Sequence, residues 1–234
     1  MSNWRPASGP AAARSRAAML RRVRDYFDTR NVLEVDTPAL SRAAVSDIQI
    51  ESFEIRDCAV DGGPLFLNTS PEFCMKRLLA AGYPDVFSIA RVFRDGEAGS
   101  RHQPEFTMLE WYRLDMSLSQ IIDDTTSLIN QALAGEAPSK APVRIAYHDA
   151  FLNAVGIDVR TASLDALISA ADADDQLRAA LGQERDDWLD LLLATRVIPS
   201  FAADRLTVLQ HYPASQAALA RLCPGDPDVA DRFE

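Results

Sequence analysis

The stretch VFRDGEAGSRHQPEFTMLEWYR, residues 92–113, joins two β-rich segments, 86–93 and 106–114, through a polar, glycine-containing connection. The connection is too long for a tight turn, and loops of this length at a hairpin tip are often functional. The segments predict an antiparallel pair presenting Arg94, Glu97, Arg101, His102, Phe106, Glu110 and Tyr112 around one loop. Arginine holds phosphate oxygens bidentately, phenylalanine stacks on a base and glutamate accepts from an amino group, so the set suits a polyanionic, aromatic ligand. With a side-chain period of two, residues 106, 108, 110 and 112 share one face, successive ones about 7 Å apart. Such a line can follow a ligand from base to amino acid. It can equally be a core face of Phe106, Met108 and Tyr112 with Glu110 tolerated at the rim, and alternation alone leaves both open.

Upstream, SPEFCMKRLLAAG (residues 70–82) predicts a short helix. Ser70 can cap it, Pro71 suits its first position, Glu72 favours its positive end and Gly82 lies just past its close. Alternation over 48–56 and a turn signal at 61–63 before PLFLNTS predict a hairpin. Residues 14–30 form a helix with Leu20, Val23 and Phe27 on one face, and Asn31 fits its end. VLEVDTPAL then alternates briefly as far as Pro38, which suits a strand end or edge.

Downstream, residues 117–133 return to a helical pattern, and 135–142 (GEAPSKAP) has the composition of a linker. Residues 150–194 are helix-rich, with the acidic runs DADD and ERDD expected on solvated faces. A strand is expected at 206–209, then a turn and short helix in HYPASQAALARL.

A hydrophobic fraction of 47% is ample for a core in a chain of 234 residues. No run approaches the roughly 18 apolar residues of a membrane span, and the first residues lack a secretory apolar stretch, so a cytoplasmic protein with no membrane partner is expected. Cys58, Cys74 and Cys223 are odd in number, far apart and without a histidine at ligand spacing, which indicates neither disulfides nor a zinc site. The formal charge of −10 disfavours an extended nucleic-acid contact.

Residues 92–113 resemble motif 2 of class II aminoacyl-tRNA synthetases in its lysyl form, above all in RHQPEFTMLEWY. TSPEFCMKRLL resembles the lysyl-type SPE segment, the helix at 14–30 with its following strand resembles motif 1, and HYPASQAALARL with DRFE resembles the approach to the next catalytic segment. The resemblance implies an α+β fold: a class II synthetase-like antiparallel sheet flanked by helices, incomplete at the C-terminus. It implies a flexible leader at 1–13 and a partial catalytic domain over 14–234, with a helix-rich insertion at about 150–205. It places Arg94 on the α-phosphate of ATP, with Asp95, Gly96, His102, Gln103 and Phe106 around the nucleotide and Phe106 under the adenine. Ser70, Pro71, Glu72, Glu110 and Tyr112 would bind the amino-acid substrate. Where many relatives have R-x-E, this chain has RDGE, so Glu97 replaces the usual acid or Gly96 contributes backbone alone; Glu97 is preferred.

An anticodon-binding OB-fold precedes the catalytic domain in lysyl-tRNA synthetases, whereas motif 1 here starts almost at once. With the acidic charge, that resembles the elongation factor P lysine ligases. Such a ligase would make an (R)-β-lysyl adenylate (lysine being the other candidate) and pass the acyl group to a lysine of elongation factor P, with no tRNA partner and a homodimer through the motif 1 region. Alternatives are a lysyl-tRNA synthetase paralogue acting on tRNA and a non-catalytic remnant. Mg²⁺ is expected with ATP, but its acidic ligands belong to segments expected after Glu234, as does motif 3. No residue of the chain is assigned to a metal, and the chain is expected to be truncated, weakly active or inactive alone.

Overall fold

The computed structural model describes residues 6–47, 50–56, 62–99, 102–134 and 140–234. The chain divides into two compact units, Met1–Met116 and Ser117–Glu234. None of the described helices is long and apolar enough to cross a membrane.

The first unit opens with α1 (Pro10–Asp28), which buries Val23, Tyr26 and Phe27. It begins earlier than the sequence predicts, taking in residues 10–13, because Pro10 occupies a first-turn position and alanines follow it. Asn31, at φ 55°, turns the chain out of the helix end, as expected. Only Leu33–Glu34 (β1) of the segment before Pro38 is a strand; β2 (Leu40–Ser41) lies beyond it. The expected hairpin is a short pair, β3 (Glu54–Ile55) with β4 (Leu65–Leu67); residues 48–49 and 57–61, with Cys58, lie outside the described residues. Next come α2 (Glu72–Ala80), β5 (Val86–Phe93) and β6 (Glu105–Tyr112). Gly82 (φ 89°) donates to Leu79 O and closes α2 as predicted.

Two sheets result, β1-β5-β6 and β2-β4-β3. β5 and β6 pair antiparallel without a slip from Val86↔Tyr112 to Phe93↔Glu105, and β1 joins β5 in parallel. One face of the hairpin packs on α1: Phe27 stacks on Phe87 at 4.3 Å between ring centroids and lies 5.9 Å from Trp111, while Arg16 donates to Thr107 Oγ1 at 2.7 Å. By the pleat, the opposite face carries Phe106, Met108, Glu110 and Tyr112.

The second unit begins with α3 (Leu118–Leu133), started by a reciprocal capping box between Ser117 and Gln120. The expected linker is a strand from Lys140 onward: β7 (Lys140–Ala146). Its parallel partner β8 (Arg205–Pro213) overrides linker composition, and Pro142, which has no N–H to give, falls where the register shifts. Between them lie α4 (Tyr147–Val155), α5 (Leu164–Ala170), α6 (Asp175–Leu181) and α7 (Arg185–Leu192). Asp174, from the first acidic run, caps α6 through Leu177 N. A π turn (Leu193–Val197) and a 3₁₀ turn (Ile198–Ser200) follow.

HYPASQAALARL departs from its expected turn and helix. Its first three residues complete β8, its helix shrinks to one 3₁₀ turn (Ala214–Gln216), and Leu222 enters β9 (Leu222–Cys223). DPDVADRF, assigned no element from sequence, is β10 (Asp226–Phe233), one of the two inner strands of the order β7-β8-β10-β9. Sheet and helices close over Tyr147, Phe151, Leu167, Trp188, Leu192 and Tyr212. Tyr147 lies 4.7 Å from Phe151 and 4.8 Å from Tyr212 between ring centroids. Each such large apolar side chain contributes about 1.5–3 kcal/mol on burial.

Candidate active site

The hairpin face away from α1 carries two chemically distinct ends. At the tip end, Arg94 follows β5 and is held from three sides. Its Nε donates to Thr69 O at 3.3 Å, its Nη1 meets Glu97 Oε1 at 3.4 Å, and its guanidinium carbon stands 5.2 Å over the Phe106 ring. Glu97 thus reaches the Arg94 guanidinium. Gly96, at φ 75°, makes the turn that brings Glu97 back, a conformation favouring glycine. Asp95 accepts from Gly96 N through Oδ1 at 2.8 Å and bonds to Glu51 O through its own N–H at 2.9 Å.

At the other end, Ser70, Glu72, Glu110 and Tyr112 come together. The Ser70 hydroxyl donates to Glu110 Oε2 at 2.6 Å and accepts from Glu72 N at 3.0 Å. The helix starts at Glu72 with the buried Pro71 as its cap residue, one position later than the sequence predicts, and Ser70 holds the first helical N–H from the residue before the cap. Tyr112 donates its hydroxyl to Glu110 Oε1 at 2.7 Å. Burial pushes the Tyr112 hydroxyl well above the ordinary tyrosine range, and its bond to Glu110 and the charges of Glu110 and Glu72 add to this. Glu72 pairs with Lys76 one turn along the helix.

Phe106, Met108, Glu110 and Tyr112 are all half-buried, whereas Val86 and Val92 on the paired strand are fully buried. The line is not a sealed core face. His102 and Gln103 are exposed at the loop, where His102 O accepts from Gly99 N at 3.1 Å; Arg101 lies outside the described residues.

Two residues that sequence reasoning passed over position the site. Asn68 accepts from Ser70 N through Oδ1 at 3.3 Å and from Phe93 N through its carbonyl at 2.9 Å. Thr69, 4% exposed, offers the carbonyl that holds Arg94. Thr69 acts through its backbone and Asn68 through both its side-chain oxygen and its carbonyl, and only their place in LNTSPE marks them.

In the second unit, the fold joins residues that sequence spacing keeps apart. His211, Cys223 and Asp231 each place one potential ligand atom within 4.8 Å of the others. The absence of a histidine near any cysteine in sequence is overridden by strand pairing.

A family model for class II tRNA synthetases (D, K and N) matches residues 4–221. Among curated proteins, the chain is 43% identical to an elongation factor P–(R)-β-lysine ligase of Pseudoalteromonas translucida, over 99% of this chain and 71% of that protein. It is 41% identical to the ligase of the same name from Sodalis glossinidius and 40% identical to that of Photorhabdus laumondii, in both cases over 100% of this chain and 72% of the relative.

Proposed function

The chain belongs to the class II tRNA synthetase family of ATP-dependent ligases, among relatives named elongation factor P–(R)-β-lysine ligase, and on that premise we propose that it activates (R)-β-lysine as an adenylate and transfers it to a lysine of elongation factor P. The observation that carries this is the Thr69–Ser70 junction: adjacent residues hold the Arg94 guanidinium at one end of a half-buried face and the Glu110 carboxylate at the other. Phe106 and Glu110 are four residues apart on one strand, a span of roughly 13 Å. A ligand with phosphate at one end and ammonium groups at the other fits that polarity.

In the first half-reaction, the substrate carboxylate would attack the α-phosphorus and pyrophosphate would leave. Arg94 would swing from the Phe106 ring to the α-phosphate and offset the charge developing there, with Glu97 fixing its approach. Adenine would take the freed face of Phe106. Asp95, Gly96, His102 and Gln103 would border the nucleotide. At the acidic end, Glu110, oriented by Ser70 and Tyr112, would accept from one substrate ammonium, and Glu72 would exchange Lys76 for the other; Pro71 fixes the start of that helix. In the second half-reaction, the lysine amine of elongation factor P would attack the acyl carbonyl and AMP would leave.

Mg²⁺, expected with ATP, is assigned no step. Glu97 is tied to Arg94 and both Glu110 oxygens are taken by Ser70 and Tyr112.

We further propose that residues 14–234 act as one catalytic domain in the cytoplasm, with 150–205 as an insertion, and that two chains associate through α1, most of whose surface is exposed, and β1. The acceptor is tested by incubating the chain with ATP, (R)-β-lysine and either elongation factor P or tRNA. The proposal expects a β-lysyl mass increase on the protein only; acylated tRNA would overturn it.

A further inference from the structure

Three neighbouring strands of the second unit meet around one cavity of about 740 Å³ that is lined, among others, by His211, Cys223 and Asp231. The strands lie in the order β8-β10-β9 and supply one residue each. Between the pairs Tyr212↔Ala230 and Gln210↔Phe233, His211 alone faces Asp231 and Arg232, a bulge of the kind that re-aims side chains. His211 takes φ 61° there, uncommon for a residue with a side chain. Asp231 N donates to Arg221 O at 2.8 Å, which fixes the other side of the cluster.

We propose that His211, Cys223 and Asp231 bind one borderline divalent transition-metal ion, with Zn²⁺ as the representative species. A mixed nitrogen, sulfur and oxygen set suits Zn²⁺ or Co²⁺ and not Mg²⁺ or Ca²⁺, which select oxygen alone. Thiolate and carboxylate balance the two positive charges, and the histidine stays neutral.

The hydrogen bonds already present point to where the ion sits. Cys223 Sγ donates to Asp231 Oδ1 at 3.1 Å, while Arg221 Nε donates to the other carboxylate oxygen, Oδ2, at 2.7 Å. The ion takes the place of the thiol proton between Sγ and Oδ1, and that proton leaves to solvent. Arg221 keeps Oδ2 and holds the carboxylate in plane, as outer partners of metal ligands do. Tetrahedral bonds of about 2.0–2.3 Å set ligand atoms roughly 3.3–3.8 Å apart, so a separation of up to 4.8 Å closes by about 1 Å, within side-chain rotation. The fourth position opens to the cavity. Three adjacent strands are thereby cross-linked, and the ion stabilises the second unit.

The test titrates Co²⁺ into a Cys58→Ser, Cys74→Ser chain, which leaves Cys223 as its single thiol. A thiolate-to-cobalt charge-transfer band, displaced by Zn²⁺, is expected; Cys223→Ser abolishes it, and His211→Ala weakens Zn²⁺ binding at least ~10-fold, the least that loss of even an outer partner costs. No band, or a band surviving Cys223→Ser, overturns the proposal. In the unmutated chain, peptide mapping after thiol labelling gives a second readout: Zn²⁺ slows modification of Cys223, and equal labelling with and without Zn²⁺ overturns the site.

Discussion

The Ser70 hydroxyl donates to Glu110 at 2.6 Å while accepting the Glu72 N–H at 3.0 Å, so one side chain couples the start of a helix to the middle of a strand. Ser70→Ala leaves one Glu110 oxygen without its donor and frees the first turn of α2. A hydrogen bond to a charged group contributes ~1.5–3 kcal/mol, so KM for the amino acid should rise ~10–100-fold while KM for ATP stays nearly constant. Pyrophosphate exchange at varied concentrations of each substrate checks this. Equal weakening for both substrates would contradict the division of the face into two ends.

In the proposed mechanism Arg94 is the cation aimed at developing phosphoryl charge. Arg94→Ala should lower kcat for adenylate formation by ~100–1,000-fold, the cost of removing one donor to a transition-state oxyanion. Arg94→Lys should recover little of it, because an ammonium lacks the planar fork that spans Thr69 O and Glu97. Single-turnover adenylate formation separates this from product release.

Phe27 ties α1 to the back of the hairpin through Phe87 and Trp111 and is 0% exposed. Phe27→Ala should cost ~3–5 kcal/mol, read from urea denaturation. A loss under ~1 kcal/mol would mean that α1 does not seat the hairpin.

Burial holds the hydroxyls of Tyr147 and Tyr212 above the ordinary tyrosine range; aspartates around Tyr147 add to its shift, and Glu234 adds to that of Tyr212. Folding therefore retains protons that the unfolded chain loses above about pH 10, and each residue's contribution, whole below that pH, falls by ~1.4 kcal/mol per pH unit above it. The Tyr147 hydroxyl is buried with no hydrogen-bond partner among the described residues. Tyr147→Phe should thus leave stability at pH 7 within ~1 kcal/mol or raise it, and should flatten the decline between pH 10 and 11. Urea midpoints at pH 7, 10 and 11 check both, and a loss above ~2 kcal/mol at pH 7 would show that the hydroxyl has a partner.

The hairpin, α2 and α3 are legible in the sequence because their signals are local: β-rich composition over 86–93 and 106–114, a Ser-Pro-Glu start before Gly82, and a helical pattern over 117–133. β7 and β10 are not, because each exists through a partner distant in sequence. Residues 140–142 belong to a linker-like stretch until β8 lies beside them, and Asp226–Phe233, with Pro227 inside it and Pro224 just before it, pairs with β8 and β9. The same limit hid the site's supports. Thr69 holds Arg94 through a carbonyl that any residue possesses, and His211, Cys223 and Asp231 meet only after three strands are laid side by side. Conversely, that Phe106, Glu110 and Tyr112 share one face follows from a period of two.

The most direct test of the central claim is ATP–pyrophosphate exchange by the 234-residue chain, with (R)-β-lysine, α-lysine or no amino acid. Exchange, however weak, that depends on (R)-β-lysine, exceeds that with α-lysine and disappears in Arg94→Ala is the predicted result. Exchange independent of the amino acid, or unchanged by Arg94→Ala, would contradict the assignment of this hairpin to β-lysine activation.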